Sequence, residues 1–462
     1  MSGLDAAAGD WPGWVEFLRV LSFRGGYNTS LVLLGVTLLG AAAGVVGSFA
    51  LLRRRALMSD VLSHATLPGL CLAFLGAALL GLSGRSLPVL LAGAAASGVL
   101  GVLAVQALTS RTRLPEDAAM GAVLSSFFGL GFVLLSLIQT LGTGDEGGIA
   151  KFVYGQTAAM ATSDALAILV VAVLAVLAAA AFFKEFRLAC FDPEFARAQG
   201  FATDRIDLAM MALVVAVTVV GLRAVGLILV VALLVIPAAA ARFWTERLWV
   251  MTLLAGVIGA VSGYLGAAAS ALLPRFPAGA VIVLVAGAFF LVSLLLAPAR
   301  GVVAAGLRYA RLRLRVASQH LLRAVYEADE CGRRESGRPV PLEELRALRP
   351  FARPWLRLVA RWLELRGLVR RVEGGGVLLT DTGRRETRRV TRNHRLWEQF
   401  LVAHADLAPS HVDRSADLVE HVLSPAMVAE LERQLTLSGR LPSRRASAAD
   451  DLPPSAHPLA TA

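Results

Sequence analysis

The sequence predicts an all-α polytopic membrane protein with about nine transmembrane helices. A soluble C-terminal part follows, with an α+β winged-helix pattern and then a helical domain. Three observations lead there. Over 462 residues, 56% are hydrophobic and the mean hydropathy is +0.65, too apolar for a soluble chain of this length. Up to about residue 300, apolar runs of ~20 residues, the length a bilayer requires, alternate with short polar joints. Beyond Leu307 the apolar runs shorten and Arg and Glu intersperse, so no later segment is expected to span.

The apolar runs place spans near 30–52, 65–83, 87–109, 119–141, 163–183, 207–222, 225–241, 249–272 and 277–297. In that count Arg53-Arg54-Arg55, Arg111 with Arg113, the loop from Lys184 to Arg205, Arg242 with Arg247, and Arg300 to Arg315 all fall on one side. The other side carries only Arg85, Lys151, Arg223 and Arg275. The basic side is the cytoplasmic one, which puts the C-terminus inside and the N-terminus outside. The expected division is a leader over 1–28 and a permease-like membrane domain over 29–300. Winged-helix residues 314–390, helical residues 391–437 and an unstructured tail over 438–462 follow. The leader opens acidic, unlike a signal peptide. It reads either as a short interfacial helix, with Trp11 and Trp14 at headgroup level, or as a loose end.

Composition also excludes some chemistry. The formal charge is +11, yet Lys occurs only at Lys151 and Lys184, in "IAKF" and "FFKE". A phosphate-cradling P-loop needs Gly-Lys-Ser/Thr, so no nucleotide is expected on this chain and ATP-driven work must come from a partner. Cys71, Cys190 and Cys331 lie far apart without CxxC spacing, which suggests neither a disulfide framework nor a thiolate zinc site. Dense Gly and Ala, as in "GAAAGVVGSF", suit closely packed membrane helices and say nothing about cargo.

In "ALMSDVLSHATLPG", Asp60 and His64 stand four residues apart and so share one helical face. A carboxylate and an imidazole there can hold a divalent cation together, or form a structural pair at a helix end. The longest loop on the basic side, 184–206, contains a short predicted helix from Pro193 to Gln199, with Asp192 as its N-cap and Gly200 as its terminator.

"LLRRRALMSDVLSHATLPGLCLAFL", "FVYGQTAAM" (152–160), "GLILVVALLVIPAAAA" (226–241) and "PAGAVIVL" (277–284) together resemble the ATP-binding-cassette permeases that import manganese, zinc or ferrous iron. The resemblance implies that Asp60 and His64 contact metal in transit. It also implies that the loop carrying Asp192, Pro193, Glu194, Ala196 and Gly200 receives the stroke of a cytoplasmic ATPase. The further partners it implies are an extracytoplasmic metal-binding protein, a second permease copy and the lipid of a bacterial plasma membrane.

The soluble part begins with the helical "ASQHLLRAVYEADECG" and a helix pair over 341–369. Two short strands flank Glu373-Gly374-Gly375-Gly376, and another helix then starts. His394 and Glu398 again stand four apart, and Asp417, Glu420 and His421 share a helical face. Two acids and a histidine suit Mn²⁺ or Fe²⁺, or else a solvated charged face. Residues 317–437, above all "NHRLWEQFL" and "LVEHVLSP", resemble the metal-dependent repressors of the diphtheria-toxin-repressor and manganese-regulator class. That resemblance implies one metal site at His394, Glu398 and Asp413, another at His320, Asp417, Glu420 and His421, and dimerisation.

The helix expected to read DNA carries Trp355, Leu356, Leu358, Trp362 and Leu363, few of which can read base edges, so DNA is a disfavoured partner. The favoured expectation is a metal-import permease with a metal-sensing regulatory domain and no catalytic residues. A membrane-anchored, metal-dependent transcription regulator is the alternative, and a permease whose appended domain has lost metal binding is a third.

Overall fold

The computed structural model describes residues 14–53, 55, 57–79, 87–141, 157, 160–272, 276–330, 338–348, 352–372, 375–405, 412, 416, 424–439, 452, 453 and 455. The chain divides into two compact units, Met1–Ala305 and Gly306–Ala462.

In the first unit, helices α1 (Trp14–Leu21), α2 (Tyr27–Leu52), α3 (Met58–Leu79), α4 (Leu87–Arg111), α5 (Glu116–Leu141) and α6 (Thr162–Ala181) come first. Two short helices, α7 (Phe183–Phe191) and α8 (Pro193–Ala198), precede α9 (Thr203–Val225), α10 (Leu227–Arg242), α11 (Leu248–Leu272) and α12 (Ala278–Leu296). Helices are the expected solution, because an isolated strand would leave backbone N–H and C=O groups without partners in hydrocarbon. Among the described residues, eight helices are long and apolar enough to cross a membrane. The expected seventh span is the 16-residue α10. At 1.5 Å per residue it runs about 24 Å, less than the ~30 Å hydrocarbon core.

Helix α2 is the centre of this unit, packing against α6, α9, α10 and α11. Its small residues allow close contact: a Cβ on Gly40 would lie 2.2 Å from the Gly259 carbonyl of α11. Ser48 Oγ and Thr252 Oγ1 meet at 3.1 Å across the same seam, satisfying two buried hydroxyls at once. Helix α1 is tied in as well. Val20 is buried in the main core, and the Tyr264 hydroxyl of α11 donates to the Leu21 carbonyl.

The joint between α2 and α3 is pinned by charge. Arg53 Nε donates to Asp207 Oδ1 of α9 at 2.9 Å, and Arg53 Nη1 donates to the Ala189 carbonyl of α7 at 3.1 Å. Arg55 binds both Asp207 Oδ2 and Glu116 Oε1 of α5. Burial disfavours the Arg53 charge, but the hydrogen bond and attraction from Asp207 outweigh it and hold the guanidinium above its usual pKa. Beside it, burial pushes the Cys190 thiol up to about 12, with Arg53 acting in the opposite direction.

The second unit opens within helix α13 (Val302–Glu330), which starts well before the predicted position because its amphipathic pattern extends upstream. A strand β1 (Val340–Pro341), α14 (Leu342–Leu348), α15 (Arg353–Leu365), β2 (Val369–Val372), β3 (Gly376–Leu379), α16 (Asp381–His404) and α17 (Pro425–Leu437) follow. The two strands expected around the glycine turn pair antiparallel, Val372 opposite Gly376. β1 adds to β3 on the other edge, giving the order β1-β3-β2. Two residues long, β1 carries no alternation that a sequence could reveal. Leu321, Leu345, Leu356, Val359, Leu363 and Val377 close the core of this unit.

Two outcomes are expected from the buried charges. Asp207→Ala leaves Arg53 without its carboxylate and Arg55 with Glu116 only, and should destabilise the protein by about 3 kcal/mol. A thermal unfolding midpoint in detergent would show this, and an unchanged midpoint would show that the cluster contributes nothing. Because its pKa is raised, Cys190 should remain a protonated thiol from pH 7 to 9 and resist maleimide. Mass spectrometry of the labelled folded protein checks this, and rapid labelling at pH 7.5 would contradict it.

Candidate functional site

Helix α3 begins at Met58, seven residues before the predicted span and ending four before it, so Asp60 and His64 both lie within the helix. The polar residues of its first turns do not break it, because their hydroxyls bond back to the helix. Ser63 Oγ donates to the Ser59 carbonyl at 2.8 Å, and Thr66 Oγ1 donates to the Ser63 carbonyl at 2.8 Å. Asp60 occupies the first turn, where the helix dipole favours a carboxylate. Pro68 has no N–H, so the His64 carbonyl lacks its usual helical donor.

His64 Nε2 and Asp60 Oδ1 lie 3.5 Å apart, at the outer limit of hydrogen bonding, with their side chains 21% and 41% exposed. The imidazole packs edge-to-face with the Phe128 ring of α5, with centroids 4.8 Å apart and planes at 86°. Behind the pair, α3 is clamped between α4 and α5. A Cβ on Gly69 would sit 2.1 Å from the Gly93 carbonyl, so glycine lets α4 approach the site helix at backbone contact. A carboxylate and an imidazole on one face, rigidly backed and partly open, can present two ligands to a divalent ion.

The predicted helix in the basic loop is α8, and each expected determinant has a role in it. Asp192 Oδ1 accepts from the Phe195 N–H at 2.9 Å as the N-cap, and Pro193 takes the first helical position. Ala196 is buried. Gly200 adopts φ +86 and closes the helix, with its N–H on the Arg197 carbonyl and the Phe201 N–H on the Ala196 carbonyl. Glu194 stands in the first turn. The sequence reading missed the aromatic rim around this helix: Phe191, Phe195 and Phe201 are 58%, 51% and 41% exposed. Three exposed phenylalanines in a short polar loop are the signal that could have found them.

In the second unit, His394 and Glu398 meet: Nε2 lies 3.0 Å from Oε1, and both side chains are almost fully buried. The guanidinium of Arg323 from α13 lies against His394 Nδ1, and Ser455 Oγ donates to Glu398 Oε2 at 3.0 Å. As arranged, the pair does not fit a divalent ion, because both ring nitrogens have partners and one of these is a cation. Asp413, the third expected member, lies outside the described residues, as do Asp417, Glu420 and His421. His320, the remaining member of that second set, lines a cleft of about 470 Å³ with Arg313, Val316, Ala352 and Trp355. Among the described residues, no three His, Cys, Asp or Glu side chains converge.

On α15, the helix a winged-helix reading would place against DNA, the exposed residues include Leu358, Trp362 and Leu365 interleaved with Arg353, Arg357 and Arg361. Trp355 instead stacks under Arg313, whose guanidinium carbon lies 5.3 Å from the ring centroid. Arg323 and Ser455 were missed as well. Neither stands at ligand spacing, and only folding brings α13 and residue 455 to α16.

Residues 27–297 match the ABC 3 transport family, and residues 380–441 match the iron dependent repressor, metal binding and dimerisation domain. The chain is 36% identical over 424 residues to a manganese transport system membrane protein (MntC) of Bacillus subtilis (strain 168), covering 92% of this chain and 95% of that one. It is 43% identical over 278 residues to a zinc transport system membrane protein (TroC) of Treponema pallidum (strain Nichols), covering 60% of this chain and 91% of that one. The solved structure of PsaBC from Streptococcus pneumoniae in complex with Fab aligns with a TM-score of 0.54 at 29% identity, covering 65% of this chain and all of that one. The pinned bundle of apolar helices, the Asp60–His64 pair and the capped loop helix therefore belong to a member of the ABC 3 transport family, extended at its C-terminus by an iron-dependent-repressor-type domain.

Proposed function

We propose that this chain is the permease subunit of an ATP-driven importer of divalent transition-metal ions, manganese first, then iron or zinc. The observation that carries this is the Asp60–His64 pair, 3.5 Å apart and partly open on a rigidly backed helix. Relatives named for manganese and zinc transport support the cargo class. A carboxylate with an imidazole suits borderline cations of this kind. Two side-chain ligands hold such an ion weakly enough to release it, as transit requires.

ATP hydrolysis is assigned to a separate cytoplasmic subunit that docks on α8. Phe191, Phe195 and Phe201 supply apolar anchors, Glu194 a charge at the rim, and the Asp192 cap and Gly200 terminator a fixed shape. A second permease copy would complete the pathway, and an extracytoplasmic binding protein would deliver the ion to the sparsely charged side. The C-terminal unit would be cytoplasmic and regulatory, holding an ion through His320, Asp417, Glu420 and His421. Regulation requires that this ion favour one state of the transporter over the other.

Asp60→Ala and His64→Ala should each lower radiolabelled Mn²⁺ uptake by about tenfold or more, the equivalent of ~1.4 kcal/mol of ion contact. Membrane insertion should be intact, and undiminished uptake would remove the transport assignment. Phe195→Ala should weaken binding of the detergent-solubilised chain to its ATPase subunit by roughly tenfold or more. Light scattering or titration calorimetry measures that affinity, and an unchanged value would move the docking surface elsewhere.

A further inference from the structure

The His394–Glu398 pair has the spacing of a metal site, but a different cation is already in place. Arg323 is 1% exposed and is among the largest fully buried side chains of the protein. A guanidinium only donates, so His394 Nδ1, which it contacts, must carry the lone pair. The ring proton is then on Nε2, which donates to Glu398 Oε1 at 3.0 Å, while Ser455 Oγ donates to Oε2 at 3.0 Å. A relay runs from Arg323 through His394 to Glu398, and its end is closed by Ser455. A divalent ion needs a ring lone pair, and the one that exists faces the guanidinium.

Charge balance points the same way. Arg323 Nε lies 2.8 Å from Glu327, and buried Arg395, beside the pair on α16, donates through Nη1 to the Pro453 carbonyl at 3.3 Å. Arg323 and Arg395 are thus both buried in this part of the unit, at 1% and 4% exposure. A doubly charged ion would add buried like charge next to Arg323. Arginine cannot relieve this by giving up a proton, as a lysine can. The Arg323 side chain is itself 1% exposed, enclosed by the packed interior of the unit.

We propose that Arg323 is the resident cation of the His394–Glu398 cluster, closing this site to divalent metal and leaving the appended domain a metal-free structural lock there. Removing the guanidinium opens a latent metal site. The transport reading is independent of this proposal.

The test counts bound Mn²⁺ by loss of the free-ion EPR signal in the full-length detergent-solubilised chain. An Asp60→Ala/His64→Ala background keeps the transport pair out of the count. In that background, Glu398→Gln should leave the bound Mn²⁺ unchanged, whereas Arg323→Met should gain about one ion per chain. Adding Glu398→Gln to Arg323→Met should abolish the gain. Arg323→Gln, which retains donors without charge, serves if the Met variant does not fold. Loss of a bound ion on Glu398→Gln alone would overturn the proposal, as would a folded Arg323 variant that gains none.

Discussion

The membrane unit depends on the carboxylate of Asp207. It receives Arg53 on one oxygen and Arg55 on the other, while Arg53 reaches the Ala189 carbonyl and Arg55 reaches Glu116. Four segments distant in sequence, the α2–α3 joint, α5, α7 and α9, are thus bound by one partly buried ion cluster centred on buried Asp207. Ion groups taken from water are costly unless each finds a partner, so the cluster tolerates little rearrangement of any one segment. It lies three residues before the helix that carries Asp60 and His64, and it holds α7, the helix that leads into α8. Through the Ala189 carbonyl the cluster ties α7, the helix that precedes α8, to the joint from which α3 starts.

Small residues set the rest of the frame. Gly69 and Gly93 bring the α3 and α4 backbones into contact, and Gly40 and Gly259 do so for α2 and α11. Between helices in lipid there is little hydrophobic gain, so this close packing and hydroxyl pairs such as Ser48–Thr252 carry the association. A polar pair like Asp60–His64 can stand on α3 because its backing comes from α4 and α5.

The chain uses the same spacing, an acid and an imidazole four residues apart on a helix, in two opposite settings. Asp60 and His64 are partly open and looser than a good hydrogen bond, and the imidazole packs against the Phe128 ring. His394 and Glu398 are sealed, fully hydrogen-bonded and supplied with a cation from α13. Openness suits an ion in passage, and closure suits a fixed joint. Sequence spacing alone does not separate the two, because the deciding groups, Phe128 in one case and Arg323 and Ser455 in the other, come from elsewhere in the chain.

What the sequence by itself determined is what local physics controls. Apolar run length set the span positions, the Asp192-Pro193 start and Gly200 stop set α8, and the glycine turn set the β2–β3 hairpin. The absence of a Gly-Lys-Ser/Thr loop was equally plain. The tertiary structure alone decided the early start of α3, the edge strand β1 and the exposure of the phenylalanines around α8. It also decided which basic residues are engaged: Arg53 and Arg55 were legible only as positive charge, and Asp207 only as one residue of a predicted span. Their meeting, like that of Arg323 with His394, joins residues 71 to 154 positions apart. A local pattern reports which face a side chain takes on its own helix, but its burial and partners follow from which other helices close around that face.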